Sequence, residues 1–423
     1  MKKPLFTIIL TFLLSAKLLF AGDTIRVMQY NLLYYDMITS FCTESNNNLN
    51  QKNINLNKII EHYKPDIFTV NELNGSPNSV SILLNNALNV DGVTRYQSAT
   101  FTGSYLINML YYNTDKLVLK HQSYIQTSPR QTDVYTLYHK SSNLINGDTT
   151  FLTCIVSHLK AGNGSQDAST RATSALQIMN YIKNRNLQGN IMLMGDFNVY
   201  SPEELAFQRF LAQTSTGIRF YDPADAIGEW HDNPLYSNYH TQSTHISGDC
   251  FSGGGMDDRF DFILTSKSLL DGTKGAKYVE DSYWAYGQDG NRFNGTLISP
   301  INYSLPSNII NALFNMSDHL PVTLKINVDY DLYANDNSSA FVQPTIKVVN
   351  PVVNTIDFWI DGILPQTASV SIFNSLGAFV MKDTLSVSSG NKYSLNANRL
   401  VPGIYIMQIK GNNFQKVLRI TKQ

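Results

Sequence analysis

The stretch Ser317-Asp318-His319-Leu320-Pro321-Val322 sets a carboxylate and an imidazole directly before an apolar run. Five other short polar motifs precede it, each in or at the end of an apolar run. Burying such groups costs several kcal/mol unless they are paired or bind a metal. The set therefore indicates a divalent-metal phosphoesterase site. The five motifs are Gln29-Tyr30-Asn31-Leu32, Asn71-Glu72-Leu73, Ser157-His158-Leu159, Gly195-Asp196-Phe197-Asn198 and Asp257-Asp258-Arg259-Phe260-Asp261-Phe262-Ile263-Leu264.

The segments around these motifs alternate between strand and helix patterns. Their order, with hairpin-like pairs between, predicts an α/β domain with mixed sheets. Polar motifs at strand ends are the usual position of an active site in such folds. Helical spacing predicts helices over 53–63 and 169–184, the second with Ala172, Ala175, Leu176, Met179 and Ile182 on one face. Strands are predicted at 25–31, 67–72, 106–112, 134–139, 151–158, 191–195, 259–265 and 322–328.

The residue types in the motifs suit hydrolysis of a phosphodiester. Glu72, Asp318 and Asn31 offer hard oxygen ligands for Mg²⁺, or for Mn²⁺ or Ca²⁺. Histidines such as His158 and His319 exchange protons near neutral pH. The reaction needs a metal on the developing charge, a base for water and an acid for the leaving oxygen. The motifs supply all three.

Taken together, the six motifs resemble the endonuclease/exonuclease/phosphatase superfamily over about Ile25 to Val328. The superfamily includes pancreatic-type deoxyribonucleases, abasic-site endonucleases, inositol-phosphate phosphatases and bacterial sphingomyelinases. A single motif is weak because it occurs by chance, whereas six in family order are specific. The resemblance implies a four-layer α/β/β/α sandwich.

The resemblance also implies roles for the residues that would bind metal and substrate. Glu72 would be the main metal ligand, Asn31 would touch the metal site, and Asp318 would lie at the metal. Most members have Gln where Asn71 stands, a departure that leaves the ligand in place. Arg130, in Ser128-Pro129-Arg130, resembles an arginine near the site in nucleases of this group, and it is the predicted substrate-binding residue.

The remaining roles implied by the resemblance are catalytic. His158 would contact phosphate or protonate the leaving group. Asp196 would orient the attacking water, and Asn198 would stabilise the transition state. Asp261 and His319 would form a hydrogen-bonded dyad, and which of the two activates water stays open. For the asparagines, a role in capping or turns is the alternative.

The N-terminus has the pattern of a signal peptide over residues 1–21. Lys2 and Lys3 precede an apolar run that is too short to span a bilayer, and small residues follow it. We expect cleavage after Ala21 and a mature protein without a membrane segment. Export implies an oxidising compartment, in which Cys42 and Cys250, each in a polar loop beside a site motif, are predicted to pair. The third cysteine, at 154 in a strand-like run, is expected to be a buried free thiol.

Charge is distributed unevenly along the 423 residues. Residues 22–330 hold 21 Lys and Arg against 28 Asp and Glu, a net charge of −7, whereas residues 331–423 hold 8 against 5. The first region therefore lacks the broad basic field of a tight nucleic-acid binder. A nuclease remains compatible with this charge, because several acids would bind metal and a non-specific hydrolase gains nothing from tight product binding.

The C-terminal region differs in texture from the rest. Residues 331–344 are polar and predict a linker, which separates residues 22–330 from a small β-sandwich over 345–423 with short alternating strands. The segments 369–377 and 400–406 and the basic end at 416–422 resemble type A sorting domains of the type IX secretion system. That resemblance implies passage through the periplasm and outer membrane, followed by cleavage or surface attachment. The alternative is a generic adhesive or carbohydrate-binding sandwich.

The sequence thus favours a secreted metal-dependent phosphodiesterase, expected to be a monomeric endonuclease acting on DNA or RNA. A phosphatase or a sphingomyelinase-type lipid phosphodiesterase is the alternative within the same class. No exposed Trp/Phe hairpin suited to membrane insertion is evident, which disfavours the lipid substrate. A non-catalytic surface adhesin on this fold is the alternative from another class, and it predicts the loss of site residues, none of which is missing.

Overall fold

The computed structural model describes residues 23–141, 144, 149–212, 218–328, 345–361, 365–375, 378–411 and 415–423. The predicted signal peptide and linker lie outside these residues. The chain divides into two compact units, one within residues 1–334 and one within 335–423. Of the helices that the structure describes, none has the length and hydrophobicity needed to cross a membrane.

The first unit contains thirteen strands and six α-helices among its described residues. The strands are β1 Thr24–Tyr35, β2 Ile67–Leu73, β3 Tyr96–Ser98, β4 Ile107–Asn113, β5 Leu117–Ile125, β6 Thr132–His139, β7 Phe151–His158, β8 Asn190–Asp196, β9 Phe220–Tyr221, β10 Asp261–Ser266, β11 Ala276–Tyr278, β12 Trp284–Ala285 and β13 Val322–Val328. The helices are α1 Leu49–Tyr63, α2 Pro77–Leu83, α3 Ser165–Asn184, α4 Leu205–Leu211, α5 Lys267–Asp271 and α6 Ser307–Met316.

These strands form two mixed sheets. The first has the order β11-β13-β1-β2-β4-β3, with β12 paired to β13, and only β1 and β2 run parallel within it. The second has the order β5-β6-β7-β8-β10-β9, with β7 and β8 parallel. In each sheet the parallel pair is central, so the strands that carry the motifs end side by side.

The two sheets pack face to face with helices on their outer faces. Strand β8 shows this by its alternation, which follows from the two-residue period of a strand. Met192 and Met194 join the core between the sheets, which continues to α1, α2 and α6. Ile191 and Leu193 point the other way, into a second core shared with α3 and α4. The predicted α/β/β/α sandwich is confirmed.

The helices begin and end where local chemistry directs. The side chain of Asn48 accepts a hydrogen bond from the N–H of Gln51 at the start of α1, and Lys64 ends the helix in a left-handed conformation before Pro65.

The predicted face of α3 is wrong at Leu176, which is 43% exposed. Ile178, which the prediction left out, is buried instead, in the same core as Ala175, Met179 and Ile182.

The second unit is a small all-β domain, as predicted. Its two antiparallel sheets have the orders β14-β15-β18 and β17-β16-β19-β20. They share a separate core, with Phe358 from one sheet and Val370, Ile372 and Met407 from the other. The strands are β14 Thr345–Val348, β15 Thr355–Asp361, β16 Gln366–Asn374, β17 Phe379–Val387, β18 Asn391–Asn396, β19 Gly403–Lys410 and β20 Gln415–Lys422.

Candidate active site

The six motifs meet at one end of the two sheets, around a cavity of about 310 Å³. Asn31, Asp261 and Arg130 do not line this cavity, but each contacts a residue that does. Residues up to about three hundred positions apart in the sequence are therefore neighbours in this site. The predicted site residues that line the cavity are Glu72, His158, Asp196, Asn198, Asp318 and His319.

Asn31 holds two of the carboxylates in place. Its amide nitrogen donates to Glu72 Oε1 at 3.2 Å and to Asp196 Oδ2 at 3.0 Å. Its amide oxygen accepts from the backbone N–H of Leu33 at 3.0 Å, which fixes the orientation of the amide. In this arrangement Asn31 orients the carboxylates and presents its nitrogen, not its oxygen, to them.

Glu72 lies at the mouth of the cavity, near the end of β2. Its backbone has φ of +60°, a conformation that is strained for a non-glycine residue and common at functional sites. Glu72 Oε2 accepts a hydrogen bond from the backbone N–H of Tyr34 at 3.1 Å. The side chain is 14% exposed, so the carboxylate is oriented yet open to the cavity.

Asp196 is at the centre of the site, with little exposure. One of its oxygens accepts from the backbone N–H of Asn198 at 3.0 Å. The other lies 3.5 Å from His158 Nε2 and 3.9 Å from His319 Nε2. Burial raises the pKa of Asp196 above its ordinary value, and the charge of Asp261 adds to this, while His319 opposes it.

His319 and Asp261 form a buried pair. His319 Nδ1 lies 2.6 Å from Asp261 Oδ2, a distance typical of a charge-assisted hydrogen bond. Burial lowers the pKa of His319, but the carboxylates of Asp261, Asp196 and Asp318 outweigh it, and the pKa is raised well above its ordinary value. The imidazole therefore holds a proton strongly while these carboxylates are uncompensated.

Gln242 joins this pair to Asp318. Its amide nitrogen lies 2.7 Å from His319 Nε2 and 3.3 Å from Asp318 Oδ2. With two hydrogens it can donate to both, provided that the Nε2 of His319 is unprotonated. With a proton on Nε2, the amide oxygen has to turn toward the ring. The orientation of the Gln242 amide thus depends on whether Nε2 of His319 carries a proton.

Asp318 has one carboxylate oxygen without a hydrogen-bond partner. Its Oδ2 accepts from the backbone N–H of Ser252 at 2.9 Å, whereas its buried Oδ1 has no hydrogen-bond partner. Within the described ranges, no group of three or more His, Cys, Asp and Glu side chains has the geometry of a metal site. Mg²⁺ is commonly held by one or two carboxylates together with water and phosphate. Glu72 and the unpartnered oxygen of Asp318 fit that mode.

His158 and Arg130 form the opposite side of the site. Arg130 Nη2 lies 2.7 Å from His158 Nε2 and donates to the carbonyl of Leu159 at 3.4 Å. Burial lowers the pKa of His158 well below its ordinary value, and the charges of Arg130 and His319 lower it further. His158 is therefore neutral, accepts from Arg130 at Nε2 and keeps its proton on Nδ1. In that form Nε2 has no proton to give to a leaving group.

Two loops at the site are joined by a buried ion pair. Arg171 on α3 binds Glu204 with two hydrogen bonds of 2.8 and 2.9 Å and donates to the carbonyls of Lys160 and Gly162. Glu204 in turn accepts from the backbone N–H of Tyr200 at 2.8 Å. The loop after β7 and the loop after β8 are thus fixed together. Breaking one partner of such a buried pair is strongly destabilising.

Sequence patterns did not reveal every residue of the site. Gln242, Ser252, Tyr200 and Phe260 line the cavity, yet the first two lie in the long segment between β9 and β10, where no periodic pattern exists. Phe260 lies within the motif Asp257 to Leu264, and Tyr200 follows Asn198 by two residues, so proximity to a motif residue was the available signal. The predicted pair Cys42 and Cys250 is bonded in the structure, with Cα atoms 4.5 Å apart, and Cys154 is a buried free cysteine.

The C-terminal residues of the chain match the sequence pattern of a known protein family. Residues 350–423 match the secretion system C-terminal sorting domain. The chain thus carries a sorting domain for type IX secretion, which directs it to the cell surface or outside the cell. No curated protein matches the chain.

Several solved structures are similar to the chain at low identity. The human Nocturnin catalytic domain with bound sulfate is 17% identical, with 73% of this chain and 98% of that chain covered and a TM-score of 0.43. D. rerio TDP2 complexed with a single-strand DNA product is 15% identical, with 72% and 100% covered and a TM-score of 0.46. An endonuclease/exonuclease/phosphatase from Bacteroides vulgatus is 13% identical, with 72% and 99% covered and a TM-score of 0.42.

Proposed function

We propose that this protein is a secreted, Mg²⁺-dependent phosphodiesterase that acts as an endonuclease. The observation that supports it most is the position of the Asp196 carboxylate. It lies within 3.0 to 3.9 Å of the Asn31 amide and of both imidazoles, and it faces a cavity with Glu72 and Asp318. Structural roles do not account for two buried carboxylates and two histidines around one open space.

Glu72 and Asp318 are the residues that would hold the cation, with Mn²⁺ or Ca²⁺ as alternatives. When bound, a divalent cation neutralises charge that develops on the phosphate oxygens. Asn31 keeps Glu72 and Asp196 in a fixed relation through its two amide hydrogens. Gln242 and the N–H of Ser252 hold Asp318 Oδ2, which leaves Oδ1 for the metal.

The proton transfers fall to Asp196 and to the pair of His319 and Asp261. Asp196 accepts a hydrogen bond from the attacking water and orients it in line with the scissile bond. Asp261 accepts a hydrogen bond from the Nδ1 proton of His319. Nε2 therefore faces Asp196 and can exchange a proton with the water that Asp196 orients. Asn198 presents an amide to the phosphate as charge develops.

Arg130 binds the phosphate, and His158 orients its guanidinium. Because His158 is neutral at Nε2 and accepts from Arg130, the guanidinium is held in one orientation at the edge of the site. Its charge interacts with the carboxylates of Glu72 and Asp196, which raise the pKa of Arg130 against the lowering by burial. A phosphate oxygen that arrives there would gain a charge-assisted hydrogen bond.

Substrate assays of the mature chain test this proposal. The protein is incubated with plasmid DNA, RNA, sphingomyelin vesicles and a phosphomonoester, each with EDTA and after return of Mg²⁺, Mn²⁺ or Ca²⁺. We expect internal cleavage of nucleic acid that EDTA abolishes and Mg²⁺ restores. Turnover of sphingomyelin or of the monoester with intact nucleic acid would contradict the endonuclease assignment. Hydrolysis that resists EDTA would contradict the metal dependence.

A further inference from the structure

One wall of the cavity is aromatic and partly open to solvent. Tyr34 and Phe41 both line the cavity, and their rings meet edge to face with centroids 5.5 Å apart. Phe41 is 49% exposed. An apolar side chain stabilises a fold in proportion to the area that it buries. At this exposure Phe41 contributes much less to stability than a buried phenylalanine would. Packing alone does not explain why the ring lies there.

The loop that carries Phe41 is held rigidly. Phe41 precedes Cys42, whose disulfide to Cys250 joins it to the segment that contacts Asp318. The carbonyl of Phe41 accepts from the side chain of Asn46 at 2.9 Å. Tyr34 packs against the buried cluster that contains both cysteines. Rings that are fixed before binding lose little conformational freedom when a ligand arrives.

The aromatic wall starts directly beside the proposed catalytic groups. The backbone N–H of Tyr34 donates to Glu72 Oε2 at 3.1 Å. The residue that carries this ring therefore contacts a carboxylate that would hold the cation. Tyr200 and Phe260 also line the cavity, with ring centroids 4.9 Å apart. A substituent on the phosphorus atom therefore enters a cavity that offers aromatic rings beside the polar groups.

We propose that Tyr34 and Phe41 form a subsite for the base of the nucleotide next to the scissile phosphate. This inference rests on the proposed function. Stacking of a base on an aromatic side chain contributes about 1–3 kcal/mol and tolerates any base. The net charge of −7 over residues 22–330 offers no broad basic track for successive phosphates, so the base supplies the affinity that backbone charge does not.

The test compares two diesters that differ only in one base. One is the dinucleotide thymidylyl-thymidine, and the other has an abasic sugar at the position of one thymidine. We expect the wild type to favour the complete dinucleotide by about tenfold in kcat/KM, through a lower KM, as stacking of about 1.4 kcal/mol requires. The preference should fall to within about twofold in Phe41→Ala and in Phe41→Leu, and Phe41→Tyr should retain it.

Tyr124→Ala is the matched control, because Tyr124 is a 54% exposed aromatic residue on β5 that does not line the cavity. A wild-type enzyme that hydrolyses both diesters equally, or a Phe41→Leu variant that keeps the preference, would overturn the subsite. So would a loss of binding to sphingomyelin vesicles in Phe41→Ala with an unchanged diester preference.

A binding measurement separates failure of the subsite from failure of the proposed function. Calorimetry with thymidine 5′-monophosphate reports the subsite without turnover. If neither diester is hydrolysed and plasmid DNA and RNA also stay intact, the proposed function fails, and weaker nucleotide binding by Phe41→Ala than by Tyr124→Ala would still support the subsite. Equal binding by both variants would overturn it.

Discussion

The amide oxygen of Asn71 accepts a hydrogen bond from the backbone N–H of Asp196 at 3.0 Å. The same oxygen accepts from Gln29 at 2.7 Å, and the amide nitrogen of Asn71 donates to Asn108 at 2.6 Å. The amide nitrogen of Asn108 in turn donates to the carboxylate of Asp133 at 3.0 Å. All of these side chains are buried, so a polar network joins the two sheets directly below the site and holds β2 against β8.

The network predicts that Asn71 supports both stability and catalysis. In Asn71→Ala the N–H of Asp196 and the amides of Gln29 and Asn108 lose a buried partner, and each unpaired group costs about 1–3 kcal/mol. We expect the free energy of unfolding to fall by at least about 2 kcal/mol, from the same range of costs, in urea denaturation. We also expect kcat to fall about tenfold at a temperature where the variant is folded, because Asp196 shifts.

Asn57→Ala is the control for Asn71. Asn57 on α1 donates one hydrogen bond to the carbonyl of Ala87, far from the site motifs. It should lower stability slightly and leave kcat unchanged. A folded Asn71→Ala variant with wild-type kcat would show that the network does not position Asp196.

Glu72→Gln should abolish hydrolysis and leave the fold intact. The substitution keeps the shape and removes the charge of a carboxylate that would hold the cation. We expect kcat to fall by about 10²-fold or more, with an unchanged melting temperature. The matched control is Glu61→Gln, because Glu61 lies at the surface with a weak ion pair of 3.8 Å to Arg95. Activity of Glu72→Gln within about threefold of wild type would remove Glu72 from the metal site.

Sequence patterns located the strand ends of the site but not the groups that connect them. His158 and Asp196 end strands that are continuous, mostly apolar and buried runs, so their positions follow from the local pattern. The bond between Asn71 and Asp196 joins two sheets, and no local feature encodes it. Gln242 reaches His319 and Asp318 from a segment whose path depends on long-range contacts.

The missed elements have physical reasons of the same kind. Strand β17 at Phe379–Val387 is exposed over most of its length, so it lacks the alternation that marks a half-buried strand. Helix α6 is different, because Ile309, Ile310, Leu313 and Met316 are buried at helical spacing. That pattern lies in the sequence directly before Ser317, where no helix was predicted.

Reduction of the disulfide should loosen the site. The bond between Cys42 and Cys250 closes 208 residues of chain, and bonds that close long loops typically stabilise by about 2–5 kcal/mol. We expect dithiothreitol to lower the denaturation midpoint of the wild type and to raise its KM. The variant with both cysteines changed to Ser should already show these effects and should not respond to the reductant. A wild-type enzyme with an unchanged midpoint after complete reduction would contradict this.

Asp133 predicts a pH dependence of stability. Burial raises its pKa from 3.8 to about 6, although Asn108, Thr102 and Gln131 donate to its carboxylate. Between these two values the folded state binds more protons than the unfolded state, so the free energy of unfolding falls as pH rises. The penalty is complete about one pH unit above the raised pKa and amounts to about 3 kcal/mol for a shift of about two pKa units.

The variant Asp133→Asn tests this dependence because it cannot titrate. Its stability relative to wild type should rise from about pH 4 to about pH 7 and stay constant above that, when both proteins are unfolded in urea at each pH. Asp115→Asn, at an exposed position, should show a constant difference. Parallel stability curves for wild type and Asp133→Asn would show that Asp133 titrates normally.

Removal of the C-terminal domain should separate secretion from catalysis. Residues 345–423 have their own core, and every proposed site residue lies between Asn31 and His319. The sorting domain at residues 350–423 is therefore expected to direct export alone. A chain that ends at Tyr330 should keep the kcat of the full chain but remain in the periplasm of a host with type IX secretion. A reporter protein fused to residues 345–423 should be exported by the same host. A truncated chain that is folded but inactive would show that the tail helps to build the site, and one that is still secreted would contradict the sorting role.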